Sequence, residues 1–234
     1  MATTDLPLLE MSEVHAALRR DFARAHALLR SPRHLTSRRR DLLGRHVVFL
    51  VHNLHHHHEG EDEHLWPELL RRNPELAPLL KRMDADHVTI QGPMEDLEHL
   101  GAAFSSGEAS AEELDAAITR LEDALLPHLA AEEGEAMPQA CALLSEADWN
   151  RMANKAWRRG PLRDGAFACN WLLDNANATG RALFHDGLPA PIRFLFYKVF
   201  HKAYAERRRE LWEGTPAEGV PTLSVQQRLA WQPG

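Results

Sequence analysis

The stretch HHHHEGEDEHLWP, residues 55–67, sets four histidines in a row and crowds carboxylates onto the turns that follow. Reading backwards from it, Leu43, Val47, Leu50 and Leu54 recur at steps of four, three and four, the signature of one helix face. The next two steps land on His57 and Glu61. These two are four residues apart and share a face. A second register fits nearly as well, with Val51, Leu54, His58, Asp62 and Leu65 as the stripe. Only one or two of four consecutive helical residues can face inward, so most of His55 to His58 belong to the surface or its boundary.

The same pattern recurs along the chain. A first helix spans about Leu8 to Arg30, closed by Ser31-Pro32, with Met11, His15, Leu18, Phe22 and Leu29 on one stripe. The helix that carries the histidine run starts at an N-cap, Thr36 or Ser37, and stops at Asn73-Pro74, with Gly60 and Pro67 expected to kink or restart it. A third, from about Pro74, carries Leu76, Leu79, Leu80, Met83, His87, Ile90, Met94 and Leu97, and Gly92-Pro93 should bend or break it. The fourth opens on a capping box, Ser110-Ala-Glu-Glu113, and continues through Leu114, Ile118, Leu121, Leu125, His128 and Glu132, with a kink expected at Pro127. Four apolar stripes on helices joined by short loops predict an all-α, up-down-up-down four-helix bundle.

Each stripe thus carries a histidine, and two carry a glutamate one turn later. Four imidazoles and two carboxylates cannot stay unpaired in a core, because an uncompensated buried charge costs several kcal/mol. Cations would compensate them. With only Cys141 and Cys169 in the chain, the donors must be nitrogen and oxygen, which suits iron or manganese. The cysteines read as small buried hydrophobes. Asp62, Glu63 and Glu133 are candidates for orienting the ligands from outside.

The string from His57 to Pro67 resembles the HHE motif of the hemerythrin-like family, H-x-x-x-E-[ED]-x-x-L-[FW]-P. A weaker copy runs from His128 to Pro138, and with His15 and His87 the set covers about residues 8–143. The resemblance selects the His57–Glu61 register. It implies a non-haem pair of iron ions, oxo- or hydroxo-bridged when ferric, with zinc or manganese as possible substitutes. It also implies His15 and His57 on one ion, His87 and His128 on the other, and Glu61 and Glu132 bridging. One departure stands out: hemerythrins proper have another histidine one turn after the helix-three ligand, and here Gln91 holds that place. The ion near His87 is then expected to keep an exchangeable position. That points from reversible oxygen carriage towards reaction with dioxygen, peroxide or nitric oxide, or towards sensing them through a partner.

Charge divides the chain in two. Residues 1–145 hold 14 Lys and Arg against 25 Asp and Glu, and residues 146–234 hold 13 against 9. We therefore expect a hemerythrin-like domain over 1–145 and a helical extension over 146–234. In the extension, helices are expected near 146–158, 166–178 and 191–212, with an irregular end from Gly214. Opposite charge and the anchors Trp149, Trp157, Trp171 and Trp212 should hold it to the bundle. The triplets Arg38–Arg40 and Arg207–Arg209 lie in no nucleic-acid-reading motif and read as solvated faces, so no nucleic-acid partner is expected. No apolar run nears the roughly 20 residues of a membrane span, and the acidic N-terminal segment lacks the basic start of a signal peptide. The expected location is the cytoplasm.

Overall fold

The computed structural model describes residues 5–157, 162–174, 176, 178–186 and 188–222, and within them the side chains of all but Asn154, Ala156, Trp157 and Asp186. The expected anchor Trp157 and the tail beyond residue 222 lie outside the described residues. Among those residues every regular element is helical. The first half comprises α1 (Leu6–Leu29), α2 (Ser37–Gly60), α3 (Trp66–Arg72), α4 (Ala77–Ser106), α5 (Ala111–Ala131) and α6 (Met137–Leu143).

Local chemistry sets the ends. Thr36 caps α2, its hydroxyl accepting from the Arg39 N–H at 3.2 Å. Ser110 and Glu113 form the reciprocal capping box of α5. Gly107, at φ 89°, closes α4 in the left-handed conformation that glycine takes without a Cβ penalty. The long helices close a ring, α1 beside α2 and α5, and α4 beside α2 and α5. Where α2 meets α4, Gly44 faces Gly101. A Cβ on Gly44 would stand 2.7 Å from the Ser105 nitrogen, so the approach is one that only a missing side chain allows.

Prolines act differently from expectation in two places. α4 runs unbroken through Pro93, and α5 through Pro127. Both prolines lie towards the outside, and Thr89 and Asp123, whose carbonyls they leave without a donor, are exposed residues within reach of water. The interruptions come instead before Pro67 and Pro138. There the chain widens into single π-helical turns, Glu61–Leu65 and Glu132–Ala136, in which the Trp66 N–H reaches Glu61 O and the Met137 N–H reaches Glu132 O. A proline cannot donate and its ring crowds the carbonyl four residues back, so a wider turn relieves both problems.

The apolar core falls into two clusters, one around Phe22, Leu43, Leu54, Ile90, Phe104 and Leu125, the other around Met11, Leu65, Trp66, Leu69, Met83 and Met137. Each long helix passes from one to the other at its histidine: Met11 to Leu18 across His15, Leu54 to Leu65 across His57, Met83 to Ile90 across His87, and Leu125 to Ala136 across His128. The polar residues therefore form a layer between two dry compartments.

The second half adds α7 (Glu146–Trp157), α8 (Leu162–Leu172), α9 (Ala178–Arg181), α10 (Ala190–Phe194) and α11 (His201–Trp212). The helix expected over 166–178 thus ends at Leu172. Trp171 and Trp212 are buried in the same cluster as Phe22 and Leu43, and Trp149 is buried in the other. Its indole donates to Glu10 Oε2 at 2.8 Å.

Three ion pairs across this junction run against the net charges. Arg24 of α1 meets Asp174 at 2.5 Å, Arg38 meets Glu210 at 2.7 Å, and Arg72 meets Asp148 at 2.9 Å, so bundle cations hold extension anions. Asp21 is the hub: it accepts from Arg20, Arg24, His46 and the Trp171 indole, all buried. Burial would raise its pKa, but Arg20, His46 and Arg24 hold the carboxyl far below the usual range. Asp174 likewise gathers Arg24, Arg208 and the Tyr204 hydroxyl. The arginine triplets join in. Arg39 donates to the carbonyls of Glu210 and Glu213, Arg40 covers the Phe104 ring, and Arg207 covers Phe167. Reading them as solvated faces missed these contacts.

Replacing Asp174 by alanine should strand Arg24 with half its compensation and cost about 3 kcal/mol. A urea unfolding midpoint that moves down at unchanged slope is the expected result.

Candidate metal centre

The histidine layer resolves into two groups. One brings together His15 from α1, His57 from α2 and Glu132 at the end of α5. The other brings together His58, Glu61, His87 and His128. All six residues singled out in the sequence are here, and each is buried or nearly so. His58 is a seventh that the chosen register left out. Neighbouring helical residues point about 100° apart, so His57 and His58 straddle the inward line and serve one group each. His55 and His56 are exposed.

The inner contacts are short. His15 Nε2 and His57 Nε2 stand 3.0 Å apart, and His87 Nε2 and His128 Nε2 stand 3.1 Å apart. Glu61 presents Oε1 to His57 at 3.1 Å and Oε2 to His87 at 3.4 Å. Glu132 Oε2 lies 3.3 Å from His15 and 3.9 Å from His128. Each carboxylate thus stands between one imidazole of either group. The four oxygens of Glu61 and Glu132, with His58 Nε2, are buried and lack hydrogen-bond geometry to any described residue. Buried polar atoms are rarely left so. Two imidazole nitrogens facing each other with bare carboxylates between them have the chemistry of a cation site, and the donor set suits iron, manganese or zinc.

An outer ring of carboxylates fixes the imidazoles. Asp62 Oδ1 accepts from His87 Nδ1 at 2.8 Å, and Glu133 Oε1 accepts from His15 Nδ1 at 2.9 Å. Each follows a motif glutamate directly, so the first carboxylate of the pair turns inward and the second reaches across to the histidine of a neighbouring helix. Arg19 donates to Glu133 at 2.7 Å. With the proton kept on Nδ1, the Nε2 lone pair faces the centre, as a ligand requires. Glu63, the third candidate, is exposed.

The electrostatics agree with this division of labour. Burial first, then the charge of His15, drives His57 down to about 3, and burial with His87 drives His58 well below the histidine range. Burial also lowers His128, with Glu132 offsetting only part of it. Burial would lower His15 as well, but Glu132 and Glu133 outweigh it and leave the ring above its usual value. Burial and the Glu132 charge push Glu61 up, whereas His15, His57 and His128 overcome burial and hold Glu132 down at about 2.

Gln91 does not approach the site. It is exposed, and its amide donates to Glu95 at 2.9 Å. The ring missing from α4 is supplied by α2 instead: His58 stacks on His87 with centroids 4.1 Å apart, nearly parallel. The counterpart of His58 in the second motif is Leu129, which is buried in the apolar core. The groups are therefore unequal, four donors on the His87 side and three on the His15 side. The His87 side, which the sequence left short of a histidine at Gln91, thus has one candidate donor more than the His15 side. A signal for His58 was present in the competing stripe, which ran through it.

The hemerythrin HHE cation-binding domain model matches residues 7–140, more than half of the chain, and the chain belongs to that family. No curated protein and no solved structure matches it. Domains of this kind bind metal cations, and the two groups are where this one has the residues to do so.

Two outcomes are expected. His58→Leu should weaken metal binding by roughly tenfold or more, while Gln91→Ala should leave it unchanged, as read by titration against a coloured chelator. In chelator-treated protein, the depressed His57, His58 and His128 bind protons more readily unfolded than folded. Their contribution to stability is present above about pH 6.5 and is lost as pH falls towards the folded values. His46, lowered by burial, acts in the same direction, while His15 and His26, raised in the fold by their carboxylate partners against burial, oppose it. The melting temperature of metal-free protein should therefore fall between pH 7 and pH 5.

Proposed function

We propose that residues 7–140 hold two iron ions and that the pair reacts with a small oxidant: hydrogen peroxide, dioxygen or nitric oxide. His15 and His57 serve one ion, His58, His87 and His128 the other, and Glu61 and Glu132 are shared. The observation that carries this reading is the pair of inward carboxylates, each set between imidazoles of both groups with no other partner. Iron supplies one-electron changes between ferrous and ferric states. The protein supplies the rest: Asp62 and Glu133 keep the Nδ1 protons in place, the flanking apolar clusters exclude water, and the three-donor side leaves room for an incoming ligand. A peroxide-consuming or detoxifying role would follow from that unequal division of donors. Zinc or manganese would fit the same donors without the same chemistry. We place the protein in the cytoplasm, where its two free cysteines would stay reduced, and treat residues 146–234 as an extension of the bundle.

A second reading, a sensor of iron, oxygen or nitric oxide acting through the extension, has one observation in its favour. α1 carries His15 and, within three turns, Arg20, Asp21 and Arg24, which hold Trp171 and Asp174.

Protein purified without chelators should contain two irons per chain, absorb in the near ultraviolet in air, and change its visible spectrum while consuming added peroxide. An iron-loaded chain that leaves peroxide untouched, yet whose extension changes its protease sensitivity with iron, would favour the sensor. A chain that takes up only zinc would rule out both readings.

A further inference from the structure

The oxidants named above are little larger than water, whose share of liquid volume is about 30 Å³. Beside the His15 side of the centre lies a cavity of about 480 Å³, within the range that holds whole organic ligands. Its walls come from both halves of the chain: Met11 and Phe49 from the bundle, Trp149 and Met152 from α7, Trp171 from α8, and Phe184. Its inner end is formed by His57 and Glu61, and the exposed His52, His56 and Asp164 stand at its rim. Of the polar groups between, Glu10 is engaged by the Trp149 indole. The space is thus an apolar body with a polar end, and that end is the less crowded side of the centre.

We propose that this cavity binds an organic acid with an apolar body, its carboxylate at His57 and Glu61 and its hydrocarbon against the two tryptophans and Phe184. The preference for a carboxylate rests on the proposed function: two divalent cations outweigh Glu61 and Glu132, so the inner end is electropositive when they are bound. The apolar pocket does not depend on that. It gives the extension a role, since α7 and α8 furnish more than a third of the wall, and it places an organic molecule, besides a small oxidant, beside the centre.

The test uses the full chain with its iron content measured on the same sample, decanoate as probe, and the fluorescence of Trp149 and Trp171 with calorimetry as readouts. Decanoate should bind saturably and 1-decanol at least tenfold more weakly. Ala153→Phe and Gly165→Leu add bulk to the lining without touching the histidines, and a Cβ at Gly165 meets only the Phe196 ring, at 3.8 Å. Each should weaken decanoate at least tenfold at unchanged melting temperature and iron content, and either one that folds suffices. Absence of saturable binding to iron-containing protein, or undiminished binding by a folded filled variant, overturns the pocket. Equal binding of 1-decanol overturns the carboxylate assignment. A chain that binds decanoate but takes up no iron keeps the pocket and overturns the proposed function instead.

Discussion

A layer of buried imidazoles and carboxylates between two dry compartments is the constraint on which the rest of this structure depends. Seven histidine and glutamate side chains from four long helices and the turns that follow two of them meet at short range, and any one of them displaced would leave its neighbours desolvated without compensation. The glycine contact between α2 and α4, the wide turns before Pro67 and Pro138, and the switch of every helix from one apolar cluster to the other all serve that convergence. The motif proline is part of the same device. It comes six residues after the inward glutamate, and the wider turn it favours lets Leu65 and Trp66, or Ala136 and Met137, return to the core directly after the polar layer.

Periodicity made the four helices and six of the seven inward residues legible, because apolar steps of three and four are a direct imprint of burial on one face. It failed at His58 because a stripe has only one centre line, whereas a polar layer has width and admits residues on both sides of that line. Asp62 and Glu133 were visible as candidates but not as partners, since each reaches a helix remote in sequence. Pro93 and Pro127 misled for a different reason: the cost of a proline depends on whether the carbonyl it strands meets water, and that depends on which way the helix faces.

Net charge was the poorer guide at the junction. The bundle is acidic in sum, yet the residues that form ion pairs with the extension, Arg24, Arg38 and Arg72, are arginines. A sum over 145 residues says little about a dozen contacts. The tryptophans fared better, because burying a large ring is favourable wherever it lands, and Trp149, Trp171 and Trp212 are all in the core.

The ionic hub at Asp21 has a consequence for how the chain folds. Arg24 and Asp174 are separated by 150 residues, as are Asp21 and Trp171. Asp21 lies beside Arg20 and Arg24 in α1 itself, but the second carboxylate of Arg24 arrives only when the chain has folded back across that separation. Until then these cations stand on an uncovered face, which keeps that face wet and discourages docking onto unrelated apolar surface. Closure across so long a loop is slow by nature, so α8 and the turn that follows it act as a latch on α1.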